Sequence, residues 1–439
     1  MSFFGSISPP ALDETSSPMI RRALHRAKIV GNFAIFQAVA QIIGFGSGIL
    51  LVHKLDQREY AYFTIANTMQ ATINILADIG ISVGLISIGS RIWQDRYRFG
   101  ELINTALDVR KKLGAVAIII VTPFLYFLLA RNGAPISYNA ILILLVVVGL
   151  LIQFSIGVLG VVPRLRADIR WIQRIDLIGA IARFIGLACV MFLFLDAAIA
   201  VVVVTATWLL QYLLLRNYVA GAIDLNAPQN SEDRKEMVRL TKHLAPNAIF
   251  YCLQGQITVF LISLFATHAT SVAEVGALGR LAMIFTVLSN LLTNVFVPAF
   301  ARCHEPRKLR FLYIAIVGGV TAFSLVVLAG AGFFPRQFLF VLGSKYAHLE
   351  HELFLMVSVA IGAAMTGTFW ALNASKAWVT GSWLYIPLTL ATQVALIPST
   401  DFSSVSGVLV FNLISILPNL FLNLVLTYRG FRSLPHPAG

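Results

Sequence analysis

The sequence predicts an all-α polytopic membrane protein of about twelve transmembrane helices, arranged in two six-helix lobes. Three observations carry that prediction. Of 439 residues, 58% are hydrophobic and 12% charged, whereas a soluble domain carries about 25% charged residues. The mean hydropathy is +0.81. Twelve mostly apolar stretches recur along the chain, and roughly 20 apolar residues suffice to cross a hydrocarbon core. A water-soluble fold is excluded.

Residues 1–28 carry Pro9, Pro10, Asp13, Glu14 and Pro18 and lack a basic start followed by an apolar stretch. They read as a disordered tail, not a cleavable signal. The first span, 29–52, puts Gln37 and Gln41 on one face and follows them with Gly44, Gly46 and Gly48, small residues that permit close helix packing. In the second, 61–90, Asn67, Gln70, Asn74 and Asp78 recur at steps of three, four and four. That spacing gathers all four on one helical face. Gly80, Gly84 and Gly89 then predict a bend or break beside Asp78. Spans follow at 113–130, 139–162, 175–195 and 197–215, completing an N-terminal lobe over 29–218.

The longest polar interruption, 219–244, contains NSEDRKEMVRLTKH, with Met237, Leu240 and Leu244 at helical spacing. It predicts an amphipathic connector on the cytoplasmic leaflet. A C-terminal lobe over 245–428 then holds spans at 245–267, 272–300, 311–334, 351–375, 377–397 and 404–428, ahead of a short tail, 429–439. Asn412, Asn419 and Asn423 form a second polar stripe, with Pro418 placed to kink it. This stripe reads mainly as interhelical hydrogen bonding. Each half opens with an outward span, a short turn and an unusually long return span. Six spans is an even number, so the halves form a parallel repeat about an axis along the membrane normal.

The net charge of +13 is a matter of topology. With the N-terminus inside, twenty-six Lys and Arg fall in inner segments and five outside, at Lys54, Arg58, Arg131, Arg336 and Lys345. Such a bias places both termini in the cytoplasm and attracts anionic membrane lipids, and it calls for no nucleic acid. Cys189, Cys252 and Cys303 lack paired spacing, so neither a disulfide framework nor a zinc site is expected. HLEHE at 348–352 lacks the HExxH spacing of a zinc-binding helix, and no GxSxG or P-loop is present. The chain reads as a non-enzyme without cofactor or metal.

Three stretches carry a family resemblance. LDQREYAYF (55–63), leading to ILADIGIS (75–82), resembles the outer turn, second span and small-residue break of the polysaccharide flippases. These belong to the superfamily of multidrug, oligosaccharidyl-lipid and polysaccharide exporters. AEVGALGRLA (273–282) is similar to the counterpart opening span eight, and FPRQFLFVLGSKY (334–346) to the outer segment after span nine. The resemblance implies movement of a polyprenyl-diphosphate-linked oligosaccharide across the inner membrane by alternating access, for exopolysaccharide or O-antigen assembly. It also implies work alongside a polysaccharide polymerase and chain-length proteins.

Ionisable groups inside spans cost about 2.5 to 3.5 kcal/mol each and usually face a cavity or a partner. Arg183 and Arg280 each lie about eight residues into their spans. At 1.5 Å per residue that is on the order of 12 Å below the surface. Both are candidates to hold the diphosphate, since a guanidinium fork matches phosphate oxygens bidentately. In similar lipid-precursor flippases a basic residue of span eight lines the central cavity, which favours Arg280. The alternative for each is snorkelling, or pairing with an acid such as Asp78 or Asp176. Asn67, Gln70 and Asn74 are candidates to contact sugar hydroxyls, or else to join helices. Asp78, beside the predicted break, is a candidate for ion coupling. Two other functions remain open: a cation-coupled multidrug exporter, which calls for an acid-lined cavity, and a membrane-embedded glycan polymerase, which calls for a large outer loop.

Overall fold

The computed structural model describes residues 39–166, 168–190, 196–266, 269–292, 296–303, 305–376 and 378–433, and all regular structure among them is helical. The expected tails up to residue 28 and from 434 onward, and Gln37 of the first span, lie outside the described residues. The helices are α1 (Val39–Lys54), α2 (Gln57–Ala77), α3 (Ile81–Ile92), α4 (Arg96–Arg131), α5 (Ile136–Leu159), α6 (Val161–Leu165), α7 (Ile169–Val190) and α8 (Ala197–Ala222). They continue with α9 (Ser231–Phe265), α10 (Ala269–Ala282), α11 (Ile284–Leu291), α12 (Val297–Arg302), α13 (Pro306–Phe333), α14 (Pro335–Leu342), α15 (Glu350–Ser375), α16 (Tyr385–Leu396) and α17 (Val405–Arg432). Among the described residues eight helices are long and apolar enough to cross a membrane, or nine if the bent pair α2–α3 is one span. The chain is a multi-pass membrane protein, and each of the twelve apolar stretches contains helix.

Local chemistry sets several boundaries. The Asp95 carboxylate accepts from the N–H groups of Tyr97 and Arg98 at the start of α4, and Asn230 does the same for Glu232 and Asp233 at the start of α9. These are N-caps that satisfy otherwise orphaned donors. The expected break in span two is present: α2 ends at Ala77, Gly80 takes φ +76°, and α3 leaves at 45°. Only glycine enters that left-handed region without strain. The carbonyl of Ile79 at the break accepts a 2.8 Å hydrogen bond from the Thr241 hydroxyl of α9.

The polar stretch 219–244 is divided between two long helices instead of forming a separate one. Its first residues finish α8, and from Ser231 onward it runs unbroken into the span that ends at Phe265. This part is fastened to the first bundle. Arg98 forms a bidentate pair with Asp233 at 2.6 and 2.7 Å, Arg234 meets Asp108 at 3.1 Å, and Met237 is buried against Gly84. Its apolar face therefore packs on protein.

Helices α2–α8 form one bundle and α10–α17 the other; α9 packs on α2, α3 and α4 of the first and on α10 and α17 of the second, and α10 packs against α2 along the seam. Far from the connector, a single apolar cluster crosses the seam, joining Leu51, Tyr62 and Ile73 to Val272, Leu278 and Leu353. Toward the connector face the buried apolar residues separate into two clusters. Leu85, Leu102 and Val219 belong to the first bundle, and Phe300, Leu309 and Leu372 to the second. The bundles thus share one apolar core at the face opposite the connector and have separate cores toward it, where α9 bridges them through α3 and α4. Lipid is as apolar as a leucine side chain, so this contact depends on close packing and on polar bonds across the seam. Gly276 of α10 supplies the first, lying against Thr64 of α2 with no room for a Cβ.

Polar bonds close the far face. The Lys345 ammonium donates to the carbonyl of Leu55 at 2.9 Å and to that of His53 at 3.4 Å, where it caps the C-terminal end of α1. Gln57 donates to the Lys345 carbonyl at 3.4 Å. Beneath this clasp the Tyr346 side chain is fully buried. Burial, with the Tyr60 phenol and the Glu274 and Asp56 carboxylates nearby, pushes its phenol above the ordinary value and keeps it neutral.

Candidate substrate site between the two bundles

Arg280 belongs to α10 of the second bundle, yet its guanidinium is lodged in the first. Its Nε donates to the Tyr60 hydroxyl at 3.3 Å, and its Cζ lies 6.0 Å from the centroid of the Phe63 ring. Its stem passes Gly48 of α1 so closely that a Cβ there would stand 3.1 Å from Cδ. The neighbouring Gly46 faces Phe184 of α7, one residue from Arg183. Gly48 thus makes room for Arg280 to approach α1.

Arg183 shares this neighbourhood. It adjoins Phe184, which meets Gly46 two residues along α1 from the Arg280 contact, and the Arg183 Nε is buried with no hydrogen-bond partner among the described residues. Neither arginine forms an ion pair there. Pairing with Asp78 or Asp176, the sequence-level alternative, is not the arrangement found. Cations placed within a membrane protein without a carboxylate are unfavourable, and an anion beside them relieves that cost. Gly48 lies six residues from the end of α1, on the order of 9 Å of helix rise. The pair therefore sits near the closed end of the seam.

The polar face of α2 divides among different neighbours. Asn67 is exposed between the buried Ala66 and Thr68. Gln70 is buried within the first bundle and donates to the Val146 carbonyl at 3.4 Å. Asn74 accepts from Nη2 of Arg110 at 3.1 Å, and Asp78 pairs with Nη1 of the same residue at 3.1 Å. Asp78 also accepts from the Ser82 hydroxyl at 2.7 Å. Arg110 is 4% exposed, and its guanidinium rests 6.0 Å from the Phe154 ring centroid and against Gly157, where no Cβ would fit. Sequence reasoning grouped Arg110 with the inner-loop lysines. Its helical phase carries the missed signal: Ile103, Ala106, Arg110, Gly114, Ala117 and Val121 share the buried face of α4, while Lys111 and Lys112 are exposed.

Below the arginine pair, a cavity of about 800 Å³ lies between α2 and α4 on one side and α9 and α16 on the other. Its walls are chiefly apolar, including Leu76, Phe124, Ile257 and Phe260, with Thr72, Thr241 and Gln256 polar besides the facing pair Gln254 and Gln393. The amides of that pair bond reciprocally at 3.1 and 2.9 Å. Ile120, which lines the cavity, is 67% exposed, so the cavity opens sideways along α4. Among the described residues no cluster of His, Cys, Asp or Glu can hold a metal ion. His348 instead meets Glu274 at 3.2 Å.

Asn412 donates to the Thr258 hydroxyl, and Asn423 both accepts from Asn373 and donates to Asn419. The second polar stripe thus joins α17 to α9 and α15.

No protein-family profile matches the chain, and no curated protein matches it. Solved structures do. An inward-facing multidrug resistance MATE family transporter of the MOP superfamily aligns over 92% of this chain and all of its own, with TM-score 0.70 and 16% identity. An outward-facing one covers 92% of this chain and 94% of its own, with TM-score 0.58 and 14% identity. A MOP superfamily transporter from Pyrococcus furiosus, for which reverse polarity of the binding pocket suggests a different function, covers 92% and 93% with TM-score 0.57 and 15% identity. The chain has the two-lobed fold of the MATE transporters, as expected from the two six-span halves.

Proposed function

We propose that this chain is an inner-membrane flippase that moves a polyprenyl-diphosphate-linked oligosaccharide by alternating access, with the connector face and both termini in the cytoplasm. The observation that carries the reading is that Arg280 of the second bundle reaches Tyr60, Phe63 and Gly48 of the first, two residues along α1 from the Gly46–Phe184 contact beside Arg183, with no acid paired to either arginine among the described residues. Two unopposed guanidiniums suit a diphosphate and repel an organic cation, which weighs against the multidrug reading that the first neighbour's description suggests. The concentration of Lys and Arg near the connector supports its cytoplasmic placement.

In this reading the diphosphate binds between Arg183 and Arg280, and the exposed Asn67 of α2 offers hydrogen bonds to the head group nearby, while Gln70 is spent on α5. The polyprenyl tail occupies the apolar, laterally open cavity, so that only the head group needs a polar path. Separate apolar cores toward the connector, the Lys345 clasp at the far face and the better overlap with the inward-facing neighbour support an inward-facing arrangement. Anion binding compensates arginines drawn from opposite bundles. It therefore favours whichever lobe arrangement brings them to the ligand together, and it shifts the equilibrium only by that differential affinity. Asp78 remains a coupling candidate in a changed setting, as the carboxylate that balances Arg110.

Cells that depend on this chain for polysaccharide export provide the test. Arg280→Ala is expected to insert normally, stop export and leave lipid-linked oligosaccharide on the cytoplasmic side, while Arg280→Lys restores part of the flux because an ammonium lacks the bidentate fork. Undiminished export by Arg280→Ala removes this residue from the mechanism and the proposal with it.

A further inference from the structure

A second, smaller cavity of about 290 Å³ lies inside the second bundle, bounded by α9, α15, α16 and α17. Phe250 and Gln254 line both it and the large cavity, so the two are neighbours. None of its lining residues is charged. Three lining hydroxyls, those of Tyr385, Thr389 and Ser415, are buried and have no hydrogen-bond partner among the described residues. The three side chains belong to residues only 8, 3 and 4% exposed. Buried hydroxyls without partners are uncommon, because each forfeits the hydrogen bonds it makes in water. Three converging on one cavity point to a ligand that supplies the missing bonds. Tyr385 also meets Phe250 edge-on at 5.3 Å and Tyr251 at 5.8 Å, which gives the cavity an aromatic wall.

From this arrangement we infer that the small cavity is a subsite for an uncharged sugar unit of the transported glycolipid. A sugar ring both donates and accepts hydrogen bonds around its rim and presents apolar C–H faces to aromatic rings. The wall matches both features, with hydroxyls and the Asn419 amide for the rim and Tyr385 with Phe250 for the faces. An anionic sugar finds no cation here, and an organic cation finds no carboxylate. The inference rests on the flippase reading and adds to it a division of labour: the arginine pair holds the diphosphate, and the second bundle selects the glycan.

The test compares two lipids in nanodiscs holding the full chain: polyprenyl diphosphate alone, and the same lipid carrying a neutral oligosaccharide. The wild type is expected to bind the glycosylated lipid more tightly. The triple variant Tyr385→Phe, Thr389→Val, Ser415→Ala keeps the volume and removes the hydroxyls. It is expected to lose roughly tenfold or more in affinity for the glycosylated lipid, down to the level of the bare lipid, whose own binding stays. Thermal stability is expected to hold or rise, because deleting an unpartnered buried hydroxyl costs a fold nothing. If the triple variant keeps the full preference for the glycosylated lipid, or the wild type shows none, the subsite is refuted while the diphosphate site stands. If the wild type binds neither lipid, both readings fall. If instead sodium ions alone stabilise the wild type and not the triple variant, with the sugar preference intact, the hydroxyls hold a cation and the inference is overturned.

Discussion

Arg110 shows how a charge is kept inside this membrane protein. Its guanidinium is balanced by Asp78 and Asn74 and lies against Phe154, in a site that Gly157 leaves open. Removing one partner of a buried pair leaves the other uncompensated, which costs about 3–5 kcal/mol, and the partial exposure of Asp78 places this case at the low end. Asp78→Ala is thus expected to lower the unfolding temperature of the detergent-purified protein markedly, and the double variant Asp78→Ala, Arg110→Met to regain most of the loss. A double variant as unstable as the single one contradicts a balanced pair. Contrast with Arg183 and Arg280 makes the point: those two cations lack such a balance among the described residues. Their intramembrane positions were legible in the sequence because charge inside an apolar run is conspicuous. Contacts of Arg280 with Tyr60, Phe63 and Gly48 were not, since helices far apart in the chain bring them together and no periodicity encodes that meeting. Arg110 was hidden for a simpler reason: it adjoins two lysines that are exposed.

At the scale of the element, the α2–α3 break couples backbone conformation to the contact between bundles. Gly80 adopts a left-handed conformation, and a Cβ there would stand 2.8 Å from the Thr241 backbone. Gly80→Ala is expected to destabilise by about 1–3 kcal/mol through backbone strain, plus the displacement of α9. Calorimetry on the purified variant checks this, and an unchanged transition means that the bend does not need glycine. The break was readable from three glycines in one short run. The fusion of the polar connector with span seven was not, because helical spacing and charge look the same whether an amphipathic segment rests on lipid or on protein. What decides between them is the set of partners on α3 and α4, Arg98 and Asp108 above all, and these are remote in sequence.

Across the whole molecule, the apolar clusters and the clasp describe two bundles joined near one face, with cations from both bundles close to that junction. Twelve apolar stretches, a polar midpoint and matching halves made this architecture legible. Which helix faces line the cavity was not, for hydropathy reports how apolar a helix is and not which way it faces. The account depends on those two arginines forming an anion site. The most direct measurement is the affinity of polyprenyl diphosphate for the purified chain in nanodiscs, set beside that of a lipophilic organic cation, for the wild type and for Arg183→Ala, Arg280→Ala. The account predicts that the wild type binds the diphosphate and ignores the cation, and that the double variant loses diphosphate affinity by roughly a hundredfold, as two charge-assisted contacts worth about 1.5 kcal/mol each require. Wild-type affinity for the diphosphate in the double variant, or a preference of the wild type for the cation, contradicts it.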